Sequence, residues 1–233
     1  MMIFWSFTAM DTGLTEEKEG EFIPYLGTEE ITFLKTLRFS KRRKEWLASR
    51  IAMKRLLCSV EGGFAQYEMQ AKQILKGQSG APYILLDGNQ HPATQISISH
   101  SNGYVLCACS RENIRLGADA ERIETRSQEF VQDFFTQEEI RQIGDSAVLA
   151  TLAWSAKEAI LKALSIGLKV DTRSISVDVQ TPGPSIDGWN PIGFSASIVG
   201  DQETLRLFWR REGDFILTIC IEERESLNFS RVR

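Results

Sequence analysis

Apolar residues recur every second position in some stretches of the chain and every third or fourth in others, which separates strands from helices. Residues 3–8 read as an opening strand, followed by a polar connection through Asp11-Thr12-Gly13 to Pro24. A helix is predicted from Thr28 through Ile31, Leu34 and Leu37, with Thr28 as its cap and Glu29 and Glu30 suited to its N-terminus. A longer one is predicted over 41–59, burying Trp46, Leu47, Ile51, Met53, Leu56 and Leu57. Gly62-Gly63 breaks the chain, 65–75 is predicted helical, and 77–82 reads as a turn-rich loop. Strands are expected over 83–86, 96–99 and 104–110, the last two joined tightly through Ser101-Asn102-Gly103.

The second half repeats this plan loosely. A strand over 117–121 precedes helices over 128–134, 136–143 and 147–165, the last ended by Gly167 as C-cap. Strands over 175–180, 194–199, 205–210 and 215–222 should form an antiparallel sheet, interrupted by a Pro/Gly loop over 182–191. Arg111-Glu112-Asn113 is the best boundary, dividing the chain into subdomains 1–112 and 113–233. Each half runs helix first and antiparallel strands after, although no significant internal identity connects them.

With 42% hydrophobic and 25% charged residues in 233, the composition is that of a globular protein with one large or two small domains. The net charge of -4 argues against a dedicated nucleic-acid binder, yet Lys41, Arg42, Arg43, Lys44, Arg50 and Lys54 crowd one stretch with only Glu45 opposing them. Basic residues at a helix start oppose the helix dipole, an arrangement that suits a docked anion. The four cysteines have no metal-ligand spacing and read as reduced thiols of a cytoplasmic protein. No apolar run reaches the ~18 residues of a membrane span, and the first residues lack a secretory pattern.

Three stretches carry candidate chemistry. In Trp154-Ser155-Ala156-Lys157-Glu158-Ala159-Ile160-Leu161-Lys162, Glu158 and Lys162 stand four apart on one helical face. Taken alone, such a pair is more often an exposed ion pair contributing about 0.3–0.5 kcal/mol. In Leu116-Gly117-Ala118-Asp119-Ala120-Glu121, period-two geometry puts both acids on one strand face, where they are either solvated or held by a hard divalent metal. Gln95-Ile96-Ser97-Ile98-Ser99-His100-Ser101 ends an alternating strand in hydroxyls and an imidazole, which singly reads as a surface corner.

Taken in order, Ser-His-Ser, Gly-x-Asp-x-Glu and Trp-Ser-x-Lys-Glu-x-x-x-Lys resemble the signature of the 4'-phosphopantetheinyl transferases of the surfactin-synthetase (Sfp-like) type. The stretch from Phe39 to Arg50 also looks like that family's basic approach to its N-terminal helix. Ala118, Ala120, Ser49 and Ala81 depart from the residues usual there. The resemblance implies an α+β fold of two similar subdomains, each a small antiparallel sheet packed with helices, related by a pseudo-twofold with the cleft at their seam. It implies a monomer built as a pseudo-dimer. Asp119, Glu121 and Glu158 would bind Mg²⁺, and Lys162 would stabilise the leaving group. Glu158, directly or through water, would accept the serine proton. Lys41, Arg43 and Lys44 would hold the 3'-phosphate of coenzyme A, Gly80-Ala81-Pro82 would let adenine approach backbone, and Ser99 and His100 would contact phosphates from one cleft. The implied reaction moves the 4'-phosphopantetheine arm of coenzyme A to a serine of an apo acyl or peptidyl carrier protein, releasing adenosine 3',5'-bisphosphate. Two rivals are another Mg²⁺-dependent nucleotide or diphosphate enzyme and a non-enzymatic module whose basic helix binds an acidic partner.

Overall fold

The computed structural model describes residues 1–10, 16–60, 64–180, 183–198, 205–223 and 226–232, with the side chains of 16–18 and 168 also set aside. The Asp11-Thr12-Gly13 connection, the Gly62-Gly63 break, Pro182 and the end of the strand expected at 199 lie outside the described residues. The fold is α+β, with antiparallel sheets packed by helices. The chain divides into two compact units, Met2–Asn113 with Ser230–Arg233, and Ile114–Phe229 with Met1.

The N-terminal unit begins with strand β1 (Met2–Ala9) and continues through helices α1 (Glu16–Phe22), α2 (Thr28–Thr36) and α3 (Ser40–Ser59). Strands β2 (Lys72–Lys76), β3 (Pro82–Leu86) and β4 (Asn89–Gln90) form one small sheet, and β5 (Gln95–Ser101) and β6 (Tyr104–Ser110) pair beside β1. The β5–β6 register leaves a two-residue turn, Asn102-Gly103, with φ of 44° and 81°. Both residues are in the left-handed region, as a twist-matched hairpin turn demands. Met53, Leu56 and Leu57 of α3 pack with Ile74, Ile84, Ile96 and Val105 to form the core. A second cluster, Leu26, Leu34, Trp46, Leu47 and Ile51, fixes α2 on α3.

Three expectations change here. Residues 65–75 do not form a helix: a 3₁₀ turn at Met69–Ala71 leads into β2, whose backbone pairs with β3 from Lys72↔Leu86 to Lys76↔Pro82. Cross-strand pairing with a segment just downstream overrides the local helical preference. Thr28 is the first helical residue and Gly27 the cap; Glu30 accepts the Gly27 N–H at 3.0 Å, so the acid does the capping. Within the expected polar connection, 16–22 is helical.

The C-terminal unit starts at β7 (Leu116–Arg122), followed by α4 (Gln128–Phe134), α5 (Gln137–Ile143) and α6 (Ala147–Ala163). Strands β8 (Ile175–Asp178), β9 (Asn190–Ala196), β10 (Leu205–Glu212) and β11 (Phe215–Glu222) complete a five-stranded sheet in the order β7-β11-β10-β9-β8. A last strand, β12 (Asn228–Arg231), ends within the N-terminal unit, in whose sheet it lies beside β1. Ala156, Ala159, Ile160 and Ala163 of α6 pack with Leu207, Ile216 and Cys220 of the sheet. The helix ends differently from the expected Gly167 cap. Leu164 is its C-cap, Ser165 takes φ 56°, and Ile166 N–H returns to Leu161 O at 3.2 Å. Ser165 therefore occupies the left-handed position that usually goes to glycine.

Candidate active site

The site in the C-terminal unit is set by how closely α6 lies on β7. A Cβ at Gly117 would land on the Ala159 carbonyl oxygen and the Ala163 nitrogen, so only glycine admits the helix backbone there. Alternation puts Asp119 and Glu121 on the same face as Gly117, beneath α6, while Ala118 and Ala120 are buried on the other. Small residues suffice at those two positions. Across the ladder Asp119 pairs with Thr218, whose hydroxyl meets Ser155 Oγ of α6 at 2.8 Å and donates to Ser155 O at 2.8 Å. That contact locks the helix over the acid.

One and two turns beyond Ser155, the helix brings Glu158 and Lys162 toward β7. Lys162 Nζ donates to Asp119 Oδ1 at 2.7 Å and to Ala118 O at 3.2 Å. Burial pushes the Glu158 carboxyl up to about 7; Asp119 and Glu121 add to the rise, and Lys162 opposes it. Glu121 is raised in the same way, by burial and then by Asp119, against the pull of Arg126 and a hydrogen bond from Trp154. Asp119, Glu121, Glu158 and Lys162 thus form one electrostatic group.

Two neighbouring charged residues carry no role in the sequence expectations, and only the first supports this group. Arg126 reaches Glu121 at 3.3 Å and Glu124 at 3.3 Å while its guanidinium lies 5.0 Å over the Phe130 ring. Its signal was an arginine five residues beyond the acid pair. Lys157, inside the motif itself, turns away from the acids. It is fully buried, pairs with Glu139 at 2.8 Å and donates to Phe134 O and Thr172 O.

The residues expected to bind coenzyme A stand in the N-terminal unit on three elements. Lys41 is exposed at the start of α3, 3.9 Å from Glu45, and Lys44 is half-buried. Arg43 is already engaged. It donates to Leu34 O at 2.7 Å and Leu37 O at 2.9 Å, closing the C-terminus of α2, and forms an ion pair with Glu19. The arrangement makes it a strut between α1, α2 and α3. Gly80, Ala81 and Pro82 close the β2–β3 loop, where Gly77 N–H reaches Ala81 O at 2.9 Å and Gly80 takes φ 88°. Ser99 and His100 do not share a face. On strand β5, Ser97 and Ser99 are buried on one side, whereas His100 follows Ile96 and Ile98 on the other and is exposed. Consecutive strand residues point oppositely, so the two side chains leave β5 on different sides.

No curated protein matches the sequence. Among solved structures the chain is similar to a holo-(acyl-carrier-protein) synthase from Bacillus anthracis in complex with CoA (3',5'-ADP), at 18% identity over 46% of this chain and 91% of that one, with a TM-score of 0.39. It is also similar to holo-[acyl-carrier-protein] synthases from Thermotoga maritima (16% identity, 57% and 74% covered, TM-score 0.36) and Neisseria meningitidis (22%, 47% and 97%, 0.35). The stretch 115–220, which holds Asp119, Glu121, Glu158 and Lys162, matches the ACPS family model, the 4'-phosphopantetheinyl transferase superfamily.

Proposed function

We propose that the protein transfers the 4'-phosphopantetheine group of coenzyme A to a serine hydroxyl of an apo carrier protein, in the manner of the Sfp-like type. The observation that carries this reading is the convergence of Asp119, Glu121, Glu158 and Lys162 on one α6–β7 contact inside the stretch that matches the superfamily.

The donor set fits Mg²⁺ in kind. Three carboxylates supply hard oxygen ligands, and burial, with their mutual charge adding to it, raises Glu158 and Glu121, a penalty that a divalent cation relieves. Among the described residues no three His, Cys, Asp or Glu side chains are already gathered at ligating distance. The Lys162 ammonium meanwhile places positive charge on Asp119. Asp119, Glu121 and Glu158 would hold Mg²⁺, which when bound supplies charge neutralisation at the diphosphate of the substrate.

The chain's own residues do the rest. Lys162 stabilises charge on the departing adenosine 3',5'-bisphosphate, a role suited to a compact point charge fixed by two hydrogen bonds. A Glu158 carboxylate oxygen accepts the proton of the attacking serine, a second role beside its part in metal binding. Lys41 and Lys44 are the cations of the proposed set for the 3'-phosphate, with Arg43 shaping the helix start they stand on. Gly80, Ala81 and Pro82 offer backbone to adenine, and Ser99 and His100 are each proposed as phosphate contacts. We further propose that the protein works as a monomer in the cytoplasm.

The test is direct. Incubation with Mg²⁺, coenzyme A and an apo carrier protein, followed by mass spectrometry of the carrier, should show one added phosphopantetheine arm that disappears when Mg²⁺ is chelated. An unmodified carrier alongside hydrolysed coenzyme A would establish a diphosphate hydrolase in its place.

A further inference from the structure

The N-terminal unit contains a cavity of about 310 Å³ whose polar lining is Ser6, Thr8, Arg55 and Ser59. The remainder is mostly apolar, drawn largely from α3 through Leu47 and Ile51. The volume falls in the range of small-molecule sites.

Internal registers of the two units show what this cavity corresponds to. Tyr104 and Phe215 each open the second strand of a two-residue hairpin, and they pair with Ala9 and Arg122 respectively. Counting back along β1 and β7 from those pairs places Ser6 at the position of Asp119 and Thr8 at that of Glu121. The long helices align through a second, independent feature. Lys54 of α3 and Lys157 of α6 are both fully buried, each on the N3 glutamate of the preceding helix, Glu30 at 2.5 Å and Glu139 at 2.8 Å. Matching those lysines puts Arg55 at the position of Glu158 and Ser59 at that of Lys162. The cavity therefore sits where the other unit holds its carboxylates, with two acids replaced by hydroxyls and the third by a guanidinium.

That exchange inverts the ligand chemistry. The guanidinium repels a metal cation, and neutral hydroxyls, which can donate to an anion, do not offset that charge; among the described residues Arg55 has no ion-pair partner. The apolar walls suit a hydrocarbon. We propose that this cavity binds a small carboxylate on an apolar tail, with Arg55 holding the carboxylate and the α3 side chains enclosing the chain. None of its lining residues is among those proposed for the transfer chemistry.

Isothermal titration calorimetry with octanoate tests this, with octylamine and octanol as controls. Octanoate should bind saturably at one site per chain, octylamine should not bind, and octanol should bind at least tenfold more weakly. Arg55→Glu, an exposed position, should weaken octanoate at least tenfold without moving the melting temperature, and Ala52→Phe should block it by filling the cavity. Saturating coenzyme A with Mg²⁺ should leave octanoate affinity within twofold. Absence of saturable binding, equal binding of octylamine, indifference to Arg55→Glu in a folded protein, or displacement by coenzyme A would each overturn the proposal.

Discussion

Lys162 is held by one carboxylate and one carbonyl of β7 while its charge also bears on Glu158. If it served only the fold, Lys162→Ala would leave turnover intact. As a positioned electrostatic donor, its loss should lower kcat by about 10²–10³ and change KM for coenzyme A much less. Lys162→Arg should not restore the full rate, because a planar fork cannot replace a point charge on Asp119. A folded Lys162→Ala enzyme within threefold of wild type would remove the lysine from the mechanism. The face shared by Glu158 and Lys162 was legible in the sequence, since it follows from helical period alone. The partner of Lys162 was not, because it lies 43 residues away on a strand. The cysteines make a separate point at this scale. Burial pushes Cys109 and Cys220 up to about 12 and Cys107 higher still, so their thiolate fraction at pH 8 is negligible; Cys58 is only half-buried. Titration of the native protein with a thiol reagent should modify one cysteine, Cys58, and all four only after unfolding. Rapid native labelling of a second thiol would contradict the burial.

At the scale of elements, Gly117 sets the distance between α6 and β7 and hence between Glu158 and Asp119. Gly117→Ala forces helix and strand apart against backbone atoms that cannot swing away. It should cost about 1–3 kcal/mol of stability, as overpacking does, and depress kcat by more than that loss of folded protein explains, because a shift near 1 Å misplaces the acids. Full activity in a destabilised variant would show that the site tolerates the shift. The end of α6 gives an opposite expectation. Ser165 holds φ 56°, a conformation costing about 1–2 kcal/mol for a residue with a Cβ. Ser165→Gly should therefore raise the melting temperature, and an unchanged or lower one would place the strain elsewhere. Reading Gly167 as the cap was natural, since glycine is the common residue there. What decided otherwise was the return of Ile166 N–H to Leu161 O, a detail of backbone geometry. The segment 65–75 departs from its helical pattern for a related reason: the β3 pairing that makes a strand of 72–76 is tertiary information.

Across the whole molecule, each unit is tied by the same construction. In one, Glu30 takes the Gly27 N–H with one oxygen and the Ile74 N–H with the other, and Lys54 joins it while donating to Tyr25 O. In the other, Glu139 takes the Thr136 N–H and the Val177 N–H, and Lys157 joins it while donating to Phe134 O. Each carbonyl belongs to the residue two before the helix cap, so helix, strand and loop are fastened at equivalent points. The common order of helix and antiparallel strands was visible in the sequence. This correspondence was not, because its lysines and glutamates are spaced differently in the two halves and only folding aligns them. Burial lowers both lysines, Lys54 and Lys157, against the opposing pull of their glutamates. Removing one partner strands a buried charge, so Lys54→Met and Lys157→Met should each cost about 3–5 kcal/mol. Because the two ties share no residue, each variant should open its own unit. Native-state hydrogen exchange should show Lys157→Met losing protection at Thr136 and Val177 while Gly27 and Ile74 keep theirs, with the reverse for Lys54→Met. Protection lost equally in both units by either substitution would mean that the chain opens as one cooperative body and that the two ties serve it jointly.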